Sequence, residues 1–150
     1  MITKAAIEGV LSQKVLAVAG VSKDPNKFGH VAYKELKAKG YRVLPVNPNA
    51  QTIDGDPCYA SLQALPEKVG GLVIITQPAV TEQLVQDAAG LGIRNIWLQQ
   101  GSESPTAVQF CQEHGLNVVS GECIMMYQPH PAFPHSLHKF IKFALGGKPK

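Results

Sequence analysis

The stretch "VLAVAGVSKDPNKFGH", residues 15–30, decides the fold. An apolar run of strand length is followed by a turn at Gly20 and then by the start of a helix near Gly29. Small residues let a backbone approach an anion closely, and a helix start offers unpaired N–H groups, so this loop suits a phosphate group. The dinucleotide fingerprint G-x-G-x-x-G is absent, because the two glycines lie too far apart. The polar side chains of the loop that suit an anion are those of Ser22, Lys23 and Lys27. The alternative is an ordinary, slightly long turn with solvated lysines.

Four more apolar runs follow at steady intervals, and several are apolar throughout instead of alternating. That pattern is typical of strands buried on both faces of a parallel sheet. The five runs are "KVLAVAG" (14–20), "YRVLPVN" (41–47), "GLVIIT" (71–76), "RNIWLQ" (94–99) and "LNVVS" (116–120). Helical patterns fill the gaps between them. The sequence therefore predicts an α/β fold: a Rossmann-like, doubly wound, five-stranded parallel sheet with helices on both faces.

The predicted helices have recognisable ends. Gly40 suits the C-cap of the helix that begins at Phe28, Pro78 suits the first turn of the next helix, and Ser104 suits the N-cap of a third. Apolar spacing predicts one buried face on each of the first two helices. These faces are Phe28, Val31, Ala32 and Leu36 on the first, and Val80, Leu84, Val85 and Ala88 on the second.

The remaining segments complete one domain over residues 1–150, a length that suits a single core. The pattern of residues 1–13 predicts a short amphipathic helix. The Pro- and Asn-rich segment 48–70 predicts a loop with a short helix at 59–65. Residues 121–150 predict an irregular segment followed by a basic C-terminal helix.

Composition and charge exclude several classes of protein. Apolar residues make up 45% and charged residues 17%, as in globular domains. The net charge is only +3, and no apolar run exceeds strand length, so we expect neither a nucleic-acid partner nor a membrane partner. There is no signal-peptide pattern, and the three cysteines form no CxxC motif. We therefore expect reduced thiols and a cytoplasmic protein.

The loops after the other strands narrow the choice of ligand, because open parallel sheets bind ligands beyond the carboxyl ends of their strands. An NAD site normally has an acidic residue after the second strand, and this chain has Asn47 and Pro48 there, which argues against NAD. A neutral Asn47 does not repel a phosphate. The alternative is that "NPN" only forms a turn. Further candidates for the wall of the site are Thr76, Gln77, Pro78, Gln100 and Gly101, which would serve equally as ordinary helix caps.

Taken together, these motifs resemble the small CoA-binding proteins related to the N-terminal domain of succinyl-CoA synthetase α-subunits. The resemblance covers residues 10–150 approximately. It rests on "VAGVSKDPNKFG", "GYRVLPVNPNA", "IDGDPCYASLQALPEKV", "WLQQGSES" and "GECIMM", and "HSLHKFIKFALGGKPK" is similar to the tail of one branch.

The resemblance implies that the chain binds coenzyme A. It places the phosphates at Gly20, Val21, Ser22 and Lys23, and the adenosine near Asn47 and Pro48. We also count Lys27 and Phe28, at the end of the same loop, among the expected cofactor-binding residues. It places the pantetheine along Thr76, Gln77 and Pro78 and near Gln100 and Gly101. Many relatives carry Ser where this chain has Gly29, so the resemblance supplies no hydroxyl contact at that position.

The same family supplies expectations about catalysis. CoA ligases phosphorylate a histidine on a further domain and use a separate nucleotide-binding unit, neither of which fits in 150 residues, so we expect a CoA or acyl-CoA binding protein without ligase activity. Cys123 is the one candidate nucleophile, and we expect it to be a buried structural thiol. His30 and His114 lie near helix ends without an evident partner. Cys123, His130, His135 and His138 match no established metal site, so we expect no metal.

Two alternatives stay open. One is an enzyme that uses NAD(P), or that modifies an acyl-CoA through Cys123. The other is an interaction protein that acts through its basic tail helix 135–145, which carries Lys139 and Lys142. The apolar residues of that helix would pack on the sheet or on a second copy of the chain in a homodimer.

Overall fold

Five parallel strands form the centre of the molecule. A computed structural model describes residues 3–127 of the chain. The strands in chain order are β1 (Val15–Ala19), β2 (Arg42–Val46), β3 (Thr52–Ile53), β4 (Asp56–Pro57), β5 (Gly71–Ile74), β6 (Asn95–Gln99) and β7 (Asn117–Glu122). The main sheet has the order β2-β1-β5-β6-β7, and all of its pairs are parallel. Strand β1 lies between two neighbours, so that Ala17 pairs with Leu44 of β2 on one side and with Leu72 of β5 on the other.

Within residues 3–127, four α-helices cover both faces of this sheet: α1 (Lys4–Leu11), α2 (Phe28–Ala38), α3 (Pro78–Gly90) and α4 (Pro105–Glu113). Helices α1 and α2 enclose one core with Leu16 and Val18 of β1, while α3 and α4 enclose the other with Ala17 and Ala19. Because neighbouring residues of β1 serve opposite cores, the strand is apolar throughout. The doubly wound, five-stranded fold is therefore confirmed.

The predicted helix ends also agree with the structure. The Ser104 hydroxyl accepts a hydrogen bond from the Ala107 N–H at 3.0 Å, and Pro78 occupies the first turn of α3. Gly40 follows α2 with φ of 98°, the left-handed conformation expected of a C-cap. The N-terminal helix is present as α1, shorter than the predicted span.

The predicted buried faces of α2 and α3 are wrong in part. Phe28 and Val31 are each 39% exposed and Val80 is 50% exposed, whereas His30, Tyr33 and Thr81 are buried. The buried faces are rotated toward these three polar side chains, which have hydrogen-bond partners in the hairpin turn, on β4 and on the backbone of Gln77. Apolar periodicity carries no information about such partners.

The loop predicted for residues 48–70 contains a small hairpin. Strands β3 and β4 pair antiparallel across the two-residue turn Asp54–Gly55, and both turn residues have positive φ. Asp-Gly is a strong signal for this kind of hairpin, and it was present in "IDGDP". The predicted short helix is a single 3₁₀ turn, Leu62–Ala64.

Some expectations fall outside the described residues. The predicted C-terminal helix and most of the irregular segment before it lie beyond residue 127. Within residues 3–127, none of the helices combines the length and the apolar character that crossing a bilayer requires.

Candidate functional site

A pocket of about 340 Å³ opens where the strand order reverses. Strand β2 lies on one side of β1 and β5 lies on the other, so the loops after β1 and β5 diverge and leave a crevice. We call this crevice the switch-point pocket. It is lined by Ala19, Gly20, Ser22, Val46, Asn47, Pro48, Ala60, Ser61, Leu62, Thr76, Val80, Leu84 and Asp87. Its volume lies in the range of small-molecule sites.

Two glycines bring the first loop close to its neighbours. Gly20 has φ of 95°, and a Cβ atom there would lie 1.9 Å from the carbonyl oxygen of Ile75. A Cβ atom at Gly29 would lie 2.2 Å from the carbonyl oxygen of Gly20. These glycines therefore permit the turn after β1 and the close packing of α2 upon it, two of the tasks that glycines perform in dinucleotide loops.

The loop between Gly20 and α2 has one hydroxyl proton available. The Ser22 hydroxyl oxygen accepts from the Asp24 N–H at 3.0 Å, so its own proton is free to be donated. The Asp24 carboxylate accepts from the Asn26 N–H at 2.9 Å. Lys23 and Lys27 are exposed, and neither forms an ion pair within residues 3–127. The side chain of Val21 is fully buried in the core.

Asn47, at the end of β2, ties two loops together. Its side-chain N–H donates to the Val21 carbonyl at 2.7 Å, and its side-chain oxygen accepts from the Asn49 N–H at 2.8 Å. The backbone N–H of Asn47 donates to the Tyr59 carbonyl. Asn47 thus forms the turn expected of "NPN" and also fixes the first loop. Pro48 lies beside it on the pocket wall.

Thr76, on the pocket wall, has hydrogen-bond partners on α3 and in the loop after β6. The buried Thr81 hydroxyl donates to the Gln77 carbonyl at 3.2 Å, and its oxygen lies 2.8 Å from the Thr76 hydroxyl. Either hydroxyl can donate in the contact between Thr76 and Thr81, and in both cases the Thr76 oxygen keeps acceptor lone pairs for the pocket that it lines. Its backbone N–H donates to Ser102 at 3.1 Å, which ties the loop after β5 to the loop after β6.

The structure separates the predicted site residues into two groups. Those that line the switch-point pocket are Gly20, Ser22, Asn47, Pro48 and Thr76. Those outside its lining are Val21, Lys23, Lys27, Phe28, Gln77, Pro78, Gln100 and Gly101. Gln100 and Gly101 are exposed in the turn after β6, one strand beyond β5, and the Gly101 N–H donates to the Glu103 carboxylate at 2.9 Å.

Sequence reasoning missed the outer wall of the pocket. Val80, Leu84 and Asp87 come from α3, and residues 60–62 come from the segment after the hairpin. Apolar spacing predicts a core face for Val80 and Leu84, although the same spacing equally fits a helix that borders a cavity. Nothing in the sequence near residues 60–62 indicated that this segment returns to β2, where Tyr59 forms a parallel bridge with Val46.

The expectation that His30 has no partner is wrong. His30 is 2% exposed, and its Nδ1 lies 2.6 Å from the Ser22 carbonyl oxygen. Its Nε2 lies 2.9 Å from a carboxylate oxygen of Asp54, in the hairpin turn. His114 also has partners, since its Nδ1 lies 2.9 Å from the Phe110 carbonyl and its ring stacks on Phe110.

The cysteines are all free, and none of them lines the pocket. Cys111 is buried, and burial raises the pKa of its thiol to about 11. Burial also raises the pKa of Cys58. Cys123 is only partly buried, which corrects the expectation of a buried thiol. Across residues 3–127 there is no group of three side chains suited to a metal ion, and His130, His135 and His138 lie outside the described residues.

Comparison with known proteins links this geometry to a family. The family model described as a CoA binding domain matches residues 14–129. The uncharacterised protein YneT of Bacillus subtilis is 28% identical over 127 residues, which cover 81% of this chain and 91% of that protein. The α-subunit of ADP-forming acetate–CoA ligase II from Pyrococcus furiosus is 24% identical over 126 residues, which cover 77% of this chain but only 28% of the subunit.

The fold is shared with solved structures as well. A conserved hypothetical protein from Pyrococcus furiosus superimposes with a TM-score of 0.72 at 38% sequence identity, and the match covers 75% of this chain and 97% of that one. The resemblance that the motifs indicated is thus confirmed by a match over most of the sequence and by a shared fold. The chain belongs to the family of CoA-binding domains.

Proposed function

We propose that this protein binds CoA or an acyl-CoA in the switch-point pocket. The observation that carries the proposal is the lining of that pocket, which joins a glycine turn and the Ser22 hydroxyl to an apolar recess formed by α3. A nucleotide with a phosphate chain requires this pairing of an anion-binding loop with a site for a flat base.

The phosphates of CoA would lie at the loop after β1. There Ser22 can donate its free hydroxyl proton to a phosphate oxygen, and the exposed amines of Lys23 and Lys27 supply positive charge. The first turn of α2 adds its partial positive charge. Gly20 lets the backbone come close enough for these groups to act together.

The adenosine would lie in the recess between β2 and α3. Val46, Leu62, Val80 and Leu84 give this recess apolar walls for a base. Asp87 adds a carboxylate, which accepts hydrogen bonds and repels phosphate, so the base and not the phosphate chain would face it. The acceptor lone pairs of Thr76 suit a donor such as a ribose hydroxyl or an amide N–H.

The pantetheine arm would leave the pocket past Gln77 and Pro78 toward Gln100 and Gly101. All four residues are exposed at the carboxyl end of the sheet. They are carried over from the family resemblance, and the Thr76–Ser102 hydrogen bond places the two loops that hold them side by side.

The proposed role is to hold a CoA species rather than to transform it. Neither His30 nor His114, the histidines of the described residues, lines the pocket, and neither does Cys123. We therefore assign binding to this site and no chemical step to its side chains. The acetate–CoA ligase relatives carry an equivalent domain within much longer chains.

Isothermal titration calorimetry with CoA, dephospho-CoA, NAD and ATP tests the proposal. We expect CoA to bind, dephospho-CoA to bind more weakly because it lacks the 3′-phosphate, and NAD not to bind. The variant Cys123→Ser is a control whose CoA affinity should equal that of the wild type. Absence of CoA binding at high micromolar concentration would refute the proposal.

A further inference from the structure

Two peptide groups in the loop after β1, those that join Val21 to Ser22 and Ser22 to Lys23, are each fixed by a side chain from elsewhere in the fold. The carbonyl of Val21 accepts from Asn47, and the carbonyl of Ser22 accepts from Nδ1 of His30. Because a carbonyl oxygen only accepts, Nδ1 of His30 must carry a proton in this arrangement. Two consecutive carbonyl groups of the loop are therefore held by Asn47 and His30.

This restraint also sets the direction of two backbone donors. In a trans peptide the N–H and the C=O of one unit point in opposite directions, and no peptide bond of the described chain is cis. The Ser22 N–H therefore points away from Asn47, and the Lys23 N–H points away from His30. Within residues 3–127, neither N–H has an acceptor.

We propose that His30 is a positioning residue for CoA binding, which holds the Ser22 carbonyl so that the Lys23 N–H is directed to a phosphate oxygen. This inference rests on the proposed function. It gives His30 a role through the loop, since the ring itself is buried and does not line the pocket. In the same way, Asn47 holds the Val21 carbonyl and so sets the direction of the Ser22 N–H.

Asp54 holds His30 in the required orientation. Its carboxylate contacts Nε2, and the hairpin that carries it is itself bound to α2, because Asp56 accepts hydrogen bonds from Tyr33 and Lys37. Both nitrogens of the imidazole therefore have a hydrogen-bond partner. One of these two partners is a backbone carbonyl of the loop after β1, so the orientation of the ring and the direction of the Lys23 N–H are linked.

The variants His30→Asn and His30→Gln form a matched pair that tests this role. The amide nitrogen of Asn replaces Nδ1, since both are bonded to the γ atom, and so it can still donate to Ser22. The amide of Gln reaches instead toward the position of Nε2 and leaves the Ser22 carbonyl without a donor. We expect His30→Asn to bind CoA within about threefold of the wild type and His30→Gln to bind about tenfold more weakly.

Thermal unfolding of both variants separates this effect from stability. Each variant loses one of the two contacts of His30, so both should unfold at a lower temperature than the wild type. A role confined to stability predicts affinities that follow the unfolding temperatures and not the Asn-over-Gln order. Equal affinity of the two variants, whether weakened or unchanged, would overturn the proposal.

A measurement on the ligand-free protein keeps this inference separate from the proposed function. We expect the NMR resonances of the Ser22 carbonyl carbon and the Lys23 amide to move in His30→Gln and to stay close to the wild type in His30→Asn. Unmoved resonances in His30→Gln would refute the positioning role even if CoA binds. Moved resonances in a protein that does not bind CoA would refute the proposed function and leave the restraint on the loop established.

Discussion

The side-chain amide of Asn47 donates a hydrogen bond to the backbone carbonyl of Val21 across 2.7 Å, joining the end of β2 to the loop after β1. The two residues are 26 positions apart in the sequence. Many nucleotide-binding sheets carry an acidic residue at the end of the second strand, where it holds the ribose of NAD. In this chain the position is occupied by Asn47, whose neutral side chain holds the loop after β1 in place.

Replacing Asn47 with Asp should weaken CoA binding. The carboxylate cannot donate to Val21, and it brings a negative charge close to the proposed phosphate site, where repulsion of roughly 1–4 kcal/mol is expected at contact distance. We expect a loss of affinity of about 10- to 100-fold, measured by calorimetry. Asn49→Asp adds the same charge two residues away at an exposed side chain, and it should have a much smaller effect.

Replacing Gly20 with Ala should destabilise the fold. The new Cβ atom would meet the Ile75 carbonyl, and the residue would be held at positive φ. We expect the free energy of unfolding to fall by about 2–5 kcal/mol in urea denaturation. Gly40→Ala is the matched control, because Gly40 has a similar φ of 98° and no atom within 4 Å of its Cβ position. Its expected cost is about 1–2 kcal/mol, and equal costs would show that the contact with Ile75 is unimportant.

Removing Lys23 or Lys27 should distinguish CoA from dephospho-CoA. If one of these lysines contacts the 3′-phosphate, its replacement by Ala should weaken CoA binding by about 10- to 100-fold and leave dephospho-CoA binding little changed. Lys34→Ala provides the control, since Lys34 is exposed on α2 and lies away from the loop. A uniform loss for both ligands would assign the lysine to the diphosphate instead.

Stability should decline in alkaline solution. Burial raises the pKa of Cys111 from 9.0 to about 11 and that of Tyr41 from 10.0 to about 12. The unfolded chain releases these protons first, so the free energy of unfolding should fall by about 1.4 kcal/mol per pH unit for each group between its two pKa values. Urea denaturation at increasing pH measures the slope. Cys111→Ala should reduce it between the two pKa values of the thiol, and an unchanged slope there would contradict this account.

The hairpin turn can be tested with two variants that both tolerate the φ of 50° found at Asp54. Asp54→Asn keeps a side chain that can hydrogen-bond to Nε2 of His30, whereas Asp54→Gly removes it. We expect the Asn variant to bind CoA nearly as well as the wild type and the Gly variant to bind several-fold more weakly. Identical CoA affinities of the two variants would show that Asp54 does not help to position the loop after β1.

The strands and most helix ends were predictable because their signals are local. A continuous apolar run such as that of β1 indicates a strand buried on both faces, and Ser104 and Pro78 mark the helix starts at which they lie. The turn after β1 was predictable for the same reason, because Gly20 directly follows the strand.

The polar interactions of the site were not predictable, because apolar spacing does not show which polar side chains find partners when the chain folds. His30 is buried by contacts with Ser22 and with Asp54, which is 24 positions away, and Thr81 is buried by contacts with Gln77 and Thr76. Periodicity therefore placed the wrong residues on the buried faces of α2 and α3. The pocket wall formed by Asp87 and residues 60–62 depends on how α3 and the returning segment pack, which no short motif records.

The Asp54–Gly55 turn lies at the surface, yet it reaches the first loop through a single buried ring. Substitutions in that turn would leave the identity of every residue of the cavity lining unchanged. A library built only at these solvent-facing positions could therefore tune ligand affinity in graded steps, and related chains could diverge in affinity while the residues that line the cavity stay the same.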